Sequence, residues 1–193
     1  MRFKTIIAIF IIFCSFQIKG QDRIMSALKL SGNLIEKGEY KNYEEYDLGE
    51  YVFFNGIFEN NLSFKIKNKK TNEIVYTYVD SISDAMILKP KFFKNDSLNT
   101  ILILVEQAAE YTWGENVIIL KNGKASNPGY LNYAVDIRNG ESISDYCIVK
   151  SKNEYIELSF KNTPLVYWPE ENKKINGEKL KIKIYNEKIE TIK

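Results

Sequence analysis

From Tyr51 to the C-terminus the chain is written with a period of two. In "LSFKIKN" the apolar Leu62, Phe64 and Ile66 alternate with Ser63, Lys65 and Lys67. The same spacing returns in "YIELSFK" (Ile156, Leu158, Phe160) and in "KLKIKIY" (Leu180, Ile182, Ile184). A strand sends successive side chains to opposite faces, so each stretch predicts a strand with one dry and one wet face. Two others, "EIVYTYV" and "ILILV", are apolar on both faces and predict strands at a sheet centre or between two layers. Turn residues separate these runs: "NKKTNE", "KNGK" with Asn122-Gly123, "SNPG", "RNGE" with Asn139-Gly140, "SKNE", and "INGE" with Asn176-Gly177. Short alternating strands joined by such turns predict a mainly β fold, an antiparallel β-sandwich or barrel-like single domain over residues 21–193.

Residues 21–50 depart from that period. Ile24, Ala27, Leu28, Leu30, Leu34 and Ile35 come near helical spacing, with Gly32 interrupting, and predict a short N-terminal helix. Beyond it, Tyr40, Tyr43 and Tyr46 stand among Glu39, Glu44, Glu45, Asp47 and Glu50. That composition reads as a solvated loop whose rings cover the domain edge; an acidic, tyrosine-rich contact surface is its functional alternative. Upstream, "MRFKTIIAIFIIFCSFQIKGQ" combines a basic start, an apolar run from Ile6 to Phe16 and the small Gly20. These are the parts of a secretory signal peptide over residues 1–20, with Gln21 opening the mature chain. The apolar run falls short of the ~18 to 20 residues that cross a bilayer, so no transmembrane segment is expected in the mature chain. Phe13 before Cys14 argues against a lipid-modified cysteine, because lipoprotein processing takes a small residue there.

Composition narrows the chemistry. With 45% hydrophobic residues, the 193-residue chain has enough apolar surface for a sizeable core. The formal charge of +2 turns into a slight excess of acid once Arg2, Lys4 and Lys19 leave with the leader. Nothing in that balance draws the chain to nucleic acid, and the lysines of "FKIKNKK" and "KLKIKIY" read as wet strand faces. Abundant Ile, Lys and Asn suit an AT-rich bacterial genome. Histidine is absent, which removes Ser-His-Asp and Cys-His catalysis, histidine-ligated zinc and histidine acid-base chemistry. Cys147, in "SDYCIVK", is the one cysteine outside the leader; it reads as a small buried apolar residue in a strand, and no internal disulfide is available. "KNDSLN" reads as a turn, lacking the acidic series of a calcium loop. No metal and no cofactor is expected.

The stretch "VEQAAEYTWGEN", between "ILIL" and "VIIL", gathers Glu106, Glu110 and Glu115 with Tyr111 and Trp113. A tight turn at Trp113-Gly114 predicts a hairpin in which Thr112 faces Glu115, Glu110 faces Val117, Ala108 faces Ile119 and Glu106 faces Lys121. Its tip also supplies the candidates of a carboxylate mechanism on glycans, Glu110 and Glu115 across the hairpin with Trp113 as a stacking ring. "PLVYWPEEN" offers a second aromatic pair, Tyr167 and Trp168, either a core cap or a binding platform. The favoured reading is an exported, periplasmic or extracellular, non-enzymatic protein that binds a protein partner or an envelope glycan through Trp113, Tyr167 and Trp168. The alternative is a carboxylate-dependent enzyme acting on glycans.

Overall fold

The computed structural model describes residues 23–28, 33–35, 43–58, 61–79, 87–108, 112–135, 142–167, 169–170 and 173–192. They form eighteen strands and three short 3₁₀ turns, with every strand pair antiparallel. The fold is mainly β, as the alternation predicts.

A five-stranded sheet occupies the middle, in the order β11 (Lys124–Leu131), β10 (Thr112–Lys121), β9 (Thr100–Ala108), β8 (Ile87–Asn95) and β2 (Ser26–Leu28). One of its faces is covered by a second sheet: β3 (Asn33–Ile35), β4 (Tyr43–Asp47), β5 (Tyr51–Phe58), β6 (Asn61–Asn68) and β7 (Ile74–Val79). The other is covered by two sheets side by side in the core. One runs β1 (Arg23–Ile24), β13 (Cys147–Ser151), β14 (Ile156–Phe160), β17 (Lys181–Ile184), β18 (Ile189–Ile192); the other runs β12 (Tyr133–Val135), β15 (Pro164–Tyr167), β16 (Lys173–Asn176).

Two cores follow, one on each side of the middle sheet. Ile101, Ile103, Val105, Ile118 and Leu120 pack with Phe53, Phe64, Ile66 and Tyr46 of the second sheet. Leu102, Leu104, Val117 and Ile119 pack with Val149, Leu158, Ile182 and Leu165 of the third layer. This is why "ILIL" carries no polar position: β9 is buried along all nine residues. Each fully buried aliphatic side chain there stabilises the fold by about 2 kcal/mol relative to exposure.

The one-sided strands also fall as their period predicts, with Phe64 and Ile66, Ile156, Leu158 and Phe160, and Leu180, Ile182 and Ile184 all buried. Asn122 and Gly123 take positive φ of 50° and 81° and close the two-residue turn between Lys121 and Lys124. Asn176, in contrast, caps a 3₁₀ turn over Gly177–Lys179, accepting from the Glu178 N–H at 2.9 Å.

Five expectations are corrected. The acidic, tyrosine-rich stretch read as a solvated loop forms strand β4 over Tyr43–Asp47, with Tyr46 in the core, and "SNPG", read as a turn, lies inside β11. The short N-terminal helix is not found: the described residues of that segment are strands β1, β2 and β3, and the rest lies outside the described residues. Met25 is buried while Ile24 is 71% exposed, and the Met25 N–H donates to Val149 O at 2.9 Å. A period of two wins there because the segment ties two layers together, β1 to β13 and β2 to β8. "EIVYTYV" lies at a sheet edge rather than a centre. The hairpin of β9 and β10 exists, but with another register: Glu106 faces Glu115, Leu104 faces Val117 and Ile101 faces Leu120. A turn at Trp113-Gly114 would have set Leu104 opposite Gly123 and left "ILIL" and "VIIL" out of step. Bulging out Trp113 between the Thr112 and Gly114 pairs aligns both apolar runs, and their burial outweighs the ready turn chemistry of glycine.

Candidate functional site

At one end of the middle sheet the apolar rows give way to charge. Across neighbouring strands Lys89 faces Glu106, Glu106 faces Glu115 and Glu115 faces Leu131. Alternation puts these residues on the same face as Leu102, Leu104 and Val117, toward the third layer. Lys91, opposite Leu104, shares that face. Glu106 is 3% exposed and Glu115 is fully enclosed.

What meets them is the turn before β13. Ser142 caps the 3₁₀ turn Ile143–Asp145 in a reciprocal box: the Ser144 N–H donates to Ser142 Oγ at 3.3 Å, and the Ser142 N–H donates to Asp145 Oδ2 at 3.1 Å. The box leaves the Ser142 hydroxyl pointing at the middle sheet, where it donates to Glu115 Oε1. The Ser144 N–H also reaches Glu115 Oε1, at 3.3 Å, and the two serine hydroxyls lie 2.7 Å apart. Lys91 forms an ion pair with Asp145 of the same turn. Ile143, between the serines, is fully buried in the core. Thus two polar links, from β10 and β8, clamp one turn of the third layer onto the middle sheet.

Burial decides the electrostatics. It pushes the Glu115 carboxyl up to about 7; the hydrogen bond from Ser142 opposes the shift, and the neighbouring Glu106 carboxylate adds to it. Among the described residues Glu115 Oε2 has no hydrogen-bond partner. Burial, then the neighbouring Lys89, push the Lys91 ammonium down from its ordinary value. The Cys147 thiol is driven up to about 12, first by burial and then by Glu115, and it donates to Ser144 O at 3.4 Å. A thiol so held is not a nucleophile near neutral pH. Among the described residues no group of three or more Asp, Glu, Cys or His is disposed to hold a metal ion.

The residues singled out by sequence do not gather at one place. Glu115 is in the cluster, whereas Glu110 and Trp168 lie outside the described residues. Trp113 is the half-buried extra residue of the β10 bulge. Tyr167, on β15, is half-buried against the core with its ring centroid 4.9 Å from that of Tyr133. Ser142, Ser144 and Lys91 carry no flag in the sequence reading. "SISD" does fit the Ser-x-x-Asp form of a capping box, but that pattern announces a turn and not its partner across the layers.

The class that this architecture defines is a layered, mainly antiparallel β-protein with a buried carboxyl clamp at one end. No family model, no curated protein and no solved structure matches the chain.

Proposed function

We propose that this is an exported protein that acts by binding and not by catalysis, its ligand a protein partner or an envelope glycan. The observation that supports this reading is the enclosure of Glu115. A general acid must come within hydrogen-bond reach of the group it protonates, and Glu115 is fully buried with Oε1 committed to Ser142 and Ser144. The half-exposed Trp113 and Tyr167, with Trp168 next to the latter, are the aromatic side chains proposed to meet the ligand. The basic start, short apolar run and Gly20 support export.

One observation favours the second reading, an enzyme on glycans using Glu110 and Glu115. A carboxyl kept protonated near neutrality is what a general acid requires. The test uses protein recovered from its native host. Its mass should correspond to a chain without residues 1–20, and it should release no product from a panel of cell-wall and capsular polysaccharides. Full-length protein in the membrane fraction contradicts export. Turnover that Glu115→Gln lowers by more than about a hundredfold, with folding intact, contradicts the binding reading.

A further inference from the structure

Glu115 is fixed in its sheet. β10 is paired along both edges, with β9 from Thr112↔Ala108 to Lys121↔Thr100 and with β11 from Glu115↔Leu131 to Lys121↔Lys124. β13 is likewise paired in full with β14, from Cys147↔Phe160 to Ser151↔Ile156. Residues 142–146 lie between these two frames and belong to neither ladder. Ser142 and Ser144 hold them to Glu115, Asp145 holds them to Lys91, Ile143 is sunk in the core, and the Lys161 N–H donates to Tyr146 O at 3.0 Å. Two of these attachments therefore run through one carboxyl.

The surroundings of that carboxyl favour its neutral form. Glu106 stands opposite on β9, with Lys89 beyond it on β8. Lys91, also on β8, is paired with Asp145 of the turn. Cys147 opens β13 with Lys161 near it, and β11 faces Glu115 with Leu131. The two groups that donate to Glu115, the Ser142 hydroxyl and the Ser144 N–H, carry no charge. Ionisation of Glu115 thus encloses a second carboxylate beside that of Glu106. Departure of the turn admits water to it without breaking a strand pair.

We propose that residues 142–146 are a pH-controlled latch: ionisation of Glu115 releases this turn from the middle sheet while the strands on both sides stay paired, opening one end of the core between the middle and third layers. The release uncovers Ile143 and the Cys147 thiol, which donates to Ser144 O across the closed turn. Below pH 4.5 the carboxyl is neutral whether the turn is closed or open, and the latch is fully held. As pH rises toward 7, the hydrated carboxyl of the open form gives up its proton while the enclosed one keeps it, which draws the equilibrium toward opening. A group that titrates near 4.5 in water and at about 7 when enclosed moves that equilibrium by about 300-fold in all, about 70-fold of it between pH 5 and 8. Burial of Ile143 and the Lys91–Asp145 pair still favour closure, so the open form is a minor one of the kind that hydrogen exchange detects.

Amide hydrogen exchange of the purified protein tests this, read as protection factors at Asp145 and Tyr146, whose N–H groups donate within the closed turn to Ser142 O and Ile143 O at 3.0 Å each. Between pH 5 and 8 their protection should fall by about 70-fold. At pH 8 it should not change with urea well below the unfolding midpoint, because the opening exposes little surface. The amide of Leu158, on β14, should lose protection steeply in the same urea series. In Glu115→Gln the protection at Asp145 and Tyr146 should stay constant across the pH range. Protection that does not fall with pH in the wild type, a fall that carries the urea slope of Leu158, or an equal fall in Glu115→Gln would each overturn the proposal.

Discussion

Glu115→Gln is expected to raise the melting temperature at pH 8 by on the order of 5 to 10 °C while changing it little at pH 5. The sign follows from linkage. Folding lifts this carboxyl from its ordinary 4.5 to about 7, so between those values the folded protein holds a proton that the unfolded chain has released. Stability is therefore fully present below pH 4.5 and declines as pH rises through 7, by on the order of 3 kcal/mol at most. The other shifted carboxyls, Asp47 and Glu190, are drawn the opposite way by Lys69 and Lys188, so their contributions vanish in more acid solution and leave this window clear. Glutamine keeps an acceptor for Ser142 and cannot ionise, which flattens the profile. Thermal melts of both proteins at half-unit steps from pH 5 to 8 give the comparison. A wild type whose stability does not fall across that range, or a variant equally destabilised throughout, contradicts the assignment of an enclosed, protonated carboxyl.

Gly114→Ala is expected to destabilise the fold by about 3 kcal/mol or more. The site joins two constraints. Gly114 has φ of +146°, a conformation that residues with a Cβ rarely adopt. A Cβ there would also overlap the Leu131 carbonyl oxygen and stand 2.7 Å from Tyr130 Cε1. Both neighbours belong to β11, and the carbonyl is backbone, so a side-chain rotation cannot make room; the strand itself must move. β11 pairs with β10 from Glu115↔Leu131 onward, so the displacement starts beside the buried carboxyl. Urea unfolding measures the loss directly, through a lower midpoint with an unchanged slope. A midpoint equivalent to less than 1 kcal/mol of change would mean that β10 and β11 are not in such close contact.

The strands were largely legible and their partners were not. Alternation in "LSFKIKN" and "YIELSFK" reports one buried face whatever the neighbour is, and the Asn122-Gly123 turn needs nothing beyond its own φ values. The register of β9 on β10 escaped because two signals compete over the same residues. Glycine at position 114 advertises a turn, while eight aliphatic residues in "ILIL" and "VIIL" are better buried in step, and only the assembled layers decide between them. "EIVYTYV" misled for a related reason: tyrosines inside and Ile74 and Val79 outside give an edge the composition of a centre. As for the site, Glu115 stood out as one of three acids, but its partners Ser142 and Ser144 lie 27 and 29 residues away. Contacts across layers at that distance leave no periodic trace in a single sequence.

The measurement that reaches the central claim most directly is a carbon-13 NMR titration of the Glu115 side-chain carboxyl, assigned by its loss in Glu115→Gln. If this carboxyl is enclosed between the middle sheet and the Ser142 turn, its resonance should move with a midpoint near pH 7, well above the midpoints of Asp47 and Glu190. A midpoint near the ordinary 4.5 would place the group in water, undo the clamp, and return Glu115 to the residues free to act on a substrate.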